Sequence, residues 1–300
     1  MATQSSSAAV DASIKSIWQQ TPDVAERYKA AENATRPFAK TMVAVTEELT
    51  TLKSTPVHIL DLGCGTGAIV AELYDAIPQA QWPDLHILAG DISQPMLEYL
   101  KTRGEQEGWS SLTTQNIDAT KLPAADLRAD FAHVFVGFAI FMLPPDVLPQ
   151  LAQKTVPGGT IAVSSWVHLP WYELLGKVYA KMQDGPELPT QDELRAGMTN
   201  GRPWHQIEYV REQLQAVGLQ KVDVRQEKVN VDCGTPETFS TTMGFVIVML
   251  SKQWPEEKRE EWVKGVGETM KEIVTEEAGG ADKHMFMEFE AIVGVGLKGE

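Results

Sequence analysis

The chain has 300 residues, 43% of them hydrophobic, enough to bury a full core in one large α/β unit with a cap rather than two equal domains. Its 26 basic side chains against 41 acidic ones leave a net charge of -15 and no Lys/Arg run, a balance that repels a phosphate backbone and sets nucleic acid aside as a substrate. Two cysteines, Cys64 and Cys233, exclude a disulfide framework and a Cys-x-x-Cys zinc site, so the expectation is a cytoplasmic protein without a metal. The opening from Met1 to Ile14 lacks the pattern of a signal peptide and reads as a frayed end, and no apolar run approaches the roughly 20 residues of a membrane helix.

From Ile14 to Leu52 apolar residues recur at helical spacing, interrupted by Pro22 and Pro37, which predicts two or three short helices, an N-terminal lid over residues 1–55. The pattern then changes. Val57 to Leu62 reads as a buried strand, followed by a glycine-rich turn and a helix from Ala68 to Ile77. Further strands are predicted at Leu85 to Ala89, Leu112 to Asn116 and Phe131 to Val136, with a helix from Gln94 to Gln106 after the second. Pro144 and Pro145 open a helix to Lys154, Gly158-Gly159 turns the chain, and Thr160 to Ser165 makes a fifth strand. This alternation is that of a doubly wound parallel sheet, with a core over 56–168.

Residues 169–204, rich in Trp, Tyr, Met, Pro and Gly, read as an irregular helical cap insertion, and 205–300 as the C-terminal part of the core with a helical insertion. Within that part a helix from His205 to Val217 ends at Gly218, and Lys221 to Asn230 alternates as a sixth strand. Two helices, Thr235 to Lys252 and Pro255 to Thr275, precede a last strand from Met285 to Lys298, in which Gly294 and Gly296 are expected to weaken or bend the ladder. The charge run Glu256 to Glu261 reads as a solvated helix face.

The segment Asp61-Leu-Gly-Cys-Gly-Thr-Gly carries most of the chemistry. Its glycines let a ligand approach the backbone, and the helix that follows aims unpaired N–H groups at it. The spacing Gly63-x-Gly65-x-x-Ala68 also satisfies a dinucleotide fingerprint, so the flanking acids must decide. Asp61, at the strand end, sits poorly beside a pyrophosphate but well beside an ammonium group. Asp91 can accept both hydroxyls of a ribose, and Asp118 an adenine amino group. Simpler roles stay open: an N-cap for Asp91, a turn cap for Asp118.

The set Asp61-Leu-Gly-Cys-Gly-Thr-Gly, Gly90-Asp-Ile-Ser-x-x-Met-Leu and Asp118-Ala resembles class I S-adenosylmethionine-dependent methyltransferases of the ubiquinone-biosynthesis type, in family order from about Val57 to Val163. The resemblance implies a Rossmann-like seven-stranded sheet of order 3-2-1-4-5-7-6 with the last strand antiparallel, and S-adenosylmethionine as cofactor with S-adenosylhomocysteine as product. It also implies cofactor contacts from Gly63, Cys64, Gly65, Gly67, Asp91, Ile92, Met96, Asp118, Ala119 and Phe138. The outer segments Glu26-Arg-Tyr28 and Met287-Glu-Phe-Glu-Ala-Ile-Val are similar to fungal secondary-metabolite methyltransferases, which would place Tyr28 over the methionine end of the donor.

Methyl transfer is an in-line displacement whose rate can come from alignment, with a base needed only for protonated acceptors. His168, after the fifth strand, is the base candidate, although a loop histidine is commonly just solvated. His133, inside the fourth strand, reads as structural. Phe141, Trp166, Trp171 and Trp204 are candidates for the wall of an apolar acceptor pocket, against the alternative that they pack the cap onto the sheet. The expected function is O-, S- or N-methylation of a small, apolar or aromatic secondary metabolite by a monomer or homodimer, with no nucleic acid or membrane partner. An S-adenosylmethionine-binding protein without methyl transfer, or an NAD-dependent oxidoreductase, are the competing readings.

Overall fold

The computed structural model describes residues 24–52, 57–182 and 184–299. The part of the lid expectation that falls on 1–23, including Ile14, Pro22 and the Ser/Ala-rich opening, lies outside them, as do the side chains of Glu26 and Arg27.

Seven strands, β1 Val57–Leu62, β2 Leu85–Asp91, β3 Leu112–Asn116, β4 Phe131–Val136, β5 Thr155–Trp166, β6 Leu219–Asp232 and β7 Phe286–Lys298, form one sheet in the order β3-β2-β1-β4-β5-β7-β6. The strands from β1 to β5 pair in parallel, and β7 runs antiparallel to β5, from Thr160 opposite Leu297 to Trp166 opposite Ala291. In β1 and β4 nearly every residue is buried, as both faces of a central parallel strand must be. The helices are α1 Val24–Lys29, α2 Glu32–Leu49, α3 Ala68–Ala76, α4 Gln94–Glu107, α5 Val147–Lys154, α6 Tyr172–Lys181, α7 Gln191–Thr199, α8 Ile207–Ala216, α9 Pro236–Ser251 and α10 Glu256–Ala278.

Two compact bodies share this chain. The sheet body takes in described residues of 35–168, 199–228 and 290 onward. Phe38, Met42 and Val45 form the buried stripe of α2 within it, and Arg36 pairs with Glu72 of α3 at 2.6 Å. The helical body takes in described residues of 24–34, 169–198 and 229–289. Its core joins Leu174, Leu175 and Val178 of α6 to apolar residues of α9 and α10 at helical spacing, such as Met243, Ile247 and Leu250. The described lid residues 24–34, the cap and the late helical pair, expected as separate pieces, thus fall in one second body, while α2 from Thr35 onward belongs with the sheet.

Three local expectations are corrected. Helix α5 begins at Val147 rather than at Pro144, because a proline excludes its predecessor from helical geometry, so Pro144 before Pro145 cannot start the helix. Strand β5 begins at Thr155 and passes through Gly158 and Gly159, with a register shift against β4 between Phe131 and His133. Gly158 holds φ 76°, and a Cβ on Gly159 would lie 2.4 Å from the carbonyl oxygen of Ala132, so the glycine pair bends the chain locally inside the strand and is pressed against β4. Finally, α2 continues through Pro37, in its second turn.

Gly294 does not interrupt β7 either; a Cβ there would meet Val210 and Leu214 of α8 at 2.8 and 2.9 Å, so the missing side chain admits the helix. Glu256, Glu257, Lys258, Glu260 and Glu261 are exposed on α10, as a solvated face requires. Among the described residues no helix is long and apolar enough to cross a membrane.

Candidate functional site

The ends of β1, β2 and β3 are tied together by backbone hydrogen bonds. The N–H groups of Gly63 and Cys64 donate to the carbonyl of Gly90 at 2.7 and 3.1 Å, and the N–H of Ile117 donates to the carbonyl of Asp91 at 2.9 Å. Asp61, Asp91 and Asp118, scattered in sequence, are thereby placed on adjoining segments at the carboxyl ends of the parallel strands, where α/β folds bind ligands. Gly63 and Gly67 hold φ of 74° and 92°, and an added Cβ would strike Ala139 at 2.8 Å and Leu100 at 2.3 Å. Gly67 is also the N-cap of α3 and offers no side-chain cap, leaving the first N–H groups of the helix for a ligand.

Asp61 is 1% exposed, and neither carboxylate oxygen has a hydrogen-bond partner among the described residues. Burial, and then the charge of Asp91, push its carboxyl up to about 8. An orphaned buried acid is expensive unless a cation joins it, and the ammonium of an amino-acid ligand fits that need. Asp91 accepts from Gly65 N–H at Oδ2 and from Ser93 N–H at Oδ1, both at 2.9 Å. Burial raises its carboxyl, and these backbone donors hold the rise back. Each oxygen of a carboxylate can accept more than one hydrogen bond, so Asp91 keeps acceptor capacity for a hydroxyl donor.

Asp118 caps the 3-10 turn Ala119–Ala124, accepting from Thr120 N–H at 3.0 Å and from the Thr120 hydroxyl at 2.6 Å. The plainer capping role is therefore real, and Oδ2, 3.9 Å from Lys121 Nζ, is the oxygen facing away from it. Ala119 is partly exposed beside it. Ile92 retains open surface at the end of β2, whereas Met96, on α4, is wholly buried. Cys64 is buried, and burial pushes its thiol well above the usual range, so it offers its backbone and not a nucleophile.

Beyond β4, Phe138 has φ 51°, an unusual value for a side chain of this size. Its N–H donates to the Ser164 hydroxyl at 3.0 Å, and its ring stacks on Trp166 with centroids 3.8 Å apart, while Phe38 meets both rings edge-on at 5.8 Å. Ala139, next in the chain, is the residue that fills the space over Gly63, so the stack adjoins the glycine turn.

Of the four proposed pocket residues, Trp166 alone combines this position with open surface. Phe141 and Trp204 are 3% and 2% exposed and pack within the sheet body. Trp171 packs against the core of the helical body, to which Tyr28 also belongs; Tyr28 meets Phe245 there edge-on at 6.4 Å.

His168 lies just beyond β5, and its Nδ1 is 3.3 Å from Oε2 of Glu290 on β7. Sequence reasoning overlooked Glu290, Ser164 and Phe38. Only for Glu290 was there a signal, a carboxylate entering the apolar run Ala-Ile-Val of the last strand. His133, read as structural, is buried, bonds Thr160 Oγ1 at 2.8 Å, and is lowered to about 4 by burial.

Comparison with known proteins agrees with this geometry. Residues 59–159 match the family model described as "Methyltransferase domain". The chain is 28% identical to Methyltransferase tpcH of Aspergillus fumigatus, across 79% of this chain and 83% of that protein. It is 26% identical to the acetylaranotin bis-thiomethyltransferase of Aspergillus terreus, across 87% and 89%. To Methyltransferase ktnA of Aspergillus niger it is 25% identical, across 92% and 95%.

Proposed function

Because the chain is a class I S-adenosylmethionine-dependent methyltransferase, we propose that its acceptor is a small, apolar or aromatic secondary metabolite, methylated at oxygen, sulfur or nitrogen. The observation that carries the reading is the Phe138–Trp166 stack beside the glycine turn, a flat apolar surface where the strand ends meet. The similarity to a bis-thiomethyltransferase, across 89% of that protein, adds support for a small-molecule acceptor.

S-adenosylmethionine, when bound, supplies a methyl group on a sulfonium that is already a good leaving group. The remaining work falls to alignment by this chain. In this reading Asp61 takes the ammonium, and Gly63, Gly65 and Gly67, with the backbone of Cys64, admit the methionine end. Asp91 accepts the ribose hydroxyls, Ile92 packs on adenine, and the outer oxygen of Asp118 with Ala119 meets its edge. Trp166 and Phe138 orient the acceptor, and His168 receives its proton.

The test is calorimetric titration with S-adenosylmethionine, S-adenosylhomocysteine and NADH in parallel, followed by a screen of thiols, phenols and amines for release of S-adenosylhomocysteine. Binding of the two sulfur ligands and turnover of an apolar acceptor is the expected result. Turnover confined to polar peptides, or binding of NADH alone, would refute it.

A further inference from the structure

We propose that Glu290 positions His168 as a general base for an acceptor that must lose a proton as it attacks, such as a thiol or phenol. The inference rests on the methyltransferase reading and narrows its acceptor class.

The antiparallel direction of β7 is what creates the pair. Its N-terminal end lies beside the C-terminal end of β5: Trp166 is opposite Ala291, and Val167 N–H donates to the carbonyl of Glu290 at 3.0 Å. The next residue, His168, places Nδ1 3.3 Å from Oε2 of Glu290. The carboxylate is 13% exposed at its side chain and is fixed from β6 as well: Gln226 Nε2 donates to Oε1 at 2.6 Å, and Lys228 Nζ stands 3.6 Å from Oε2. Gln226 immobilises the acid without using the oxygen that faces His168. Lys228 lies on the side of that same oxygen.

A carboxylate can only accept, so Nδ1 must carry the proton of a neutral ring that bonds it. The lone pair is then on Nε2, and the side chain is two-thirds buried, which limits its exchange with water. A base fixed in one tautomer suits an acceptor that must lose a proton as it attacks. In the balanced step the S–H or O–H proton passes to Nε2, and the freed electron pair forms the bond to the methyl carbon. The carbon–sulfur bond breaks with its electrons going to the sulfonium sulfur, leaving neutral S-adenosylhomocysteine, a methylated acceptor and an imidazolium facing Glu290. The imidazolium later returns its proton to solvent.

The test is the tautomer of His168 in the full chain, read by long-range proton–nitrogen correlation with labelled histidine at a pH where the ring is neutral. The chain has six histidines, and His168→Gln assigns the signal by its disappearance. A bare Nε2 is expected in the unaltered protein, a shift toward Nε2–H in Glu290→Gln, and a return in Glu290→Asp. The same tautomer in all three, or Nε2–H from the outset, would overturn the proposal without any acceptor being known. With a thiol or phenol acceptor, Glu290→Gln should lower kcat roughly 10- to 100-fold, within the range of general-base effects, while KM for the donor stays put. Donor titration on the same samples separates the two ideas: absent donor binding in the unaltered protein sinks the methyltransferase reading, whereas a wrong tautomer with intact donor binding sinks only the role of Glu290.

Discussion

The ring of Phe138 lies nearly parallel to that of Trp166, at 20° and 3.8 Å between centroids, although they sit on different strand ends. Ser164 holds the backbone that makes this possible. A double-mutant cycle of Phe138→Leu and Trp166→Leu in urea should give a coupling of about 0.5–1.5 kcal/mol. In turnover assays either single change should raise the acceptor KM and spare donor affinity. Additive stabilities would show the stack to be mere proximity.

Asp61 predicts a proton balance. With its carboxyl raised to about 8, the free protein holds a proton there at pH 7, and an ammonium ligand would expel it. Donor titrations in buffers of different ionisation heat should report a proton release that Asp61→Asn lacks. The sign for stability is also fixed: between the ordinary carboxylate range and about 8 the folded state holds a proton the unfolded state has lost, so this residue makes the unliganded protein less stable as pH rises. Asp61→Asn should flatten that slope in thermal melts from pH 5 to 8.

Removing Asp91 takes away a charged acceptor. Asp91→Ala should cost about 1.5–3 kcal/mol of donor affinity by calorimetry. Unchanged affinity would move the ribose elsewhere.

Gly67→Ala forces a side chain into a left-handed backbone and against Leu100. The expected loss is about 1–3 kcal/mol of stability, with weaker donor binding, since the turn and the start of α3 must both shift. A melting temperature equal to that of the unaltered chain would contradict the geometry.

The alternating pattern from Val57 to Val136 made the sheet and the glycine turn legible, because buried parallel strands and their crossovers differ in local composition. What the pattern could not tell was facing. Met96, Phe141 and Trp204 are apolar residues near the right strands, but helix and loop orientation turns them into the core. Gly158-Gly159 carries the local signal of a turn; Gly158 does hold a left-handed φ, but the backbone of Ala132 pressed against Gly159 could not be read from the segment itself. The partnership of His168 and Glu290 depends on the register of β7 with β5, a long-range relation that neither segment encodes by itself.

The position of β7 between β5 and β6 also orders events during synthesis. When Leu219–Asp232 leaves the ribosome, the strand that must separate it from β5 has not yet been made, so β6 waits through the production of α9 and α10. The first five strands can assemble as they emerge, but the sheet closes by insertion, and the carboxylate of Glu290 reaches His168 only after α9 and α10 have been made.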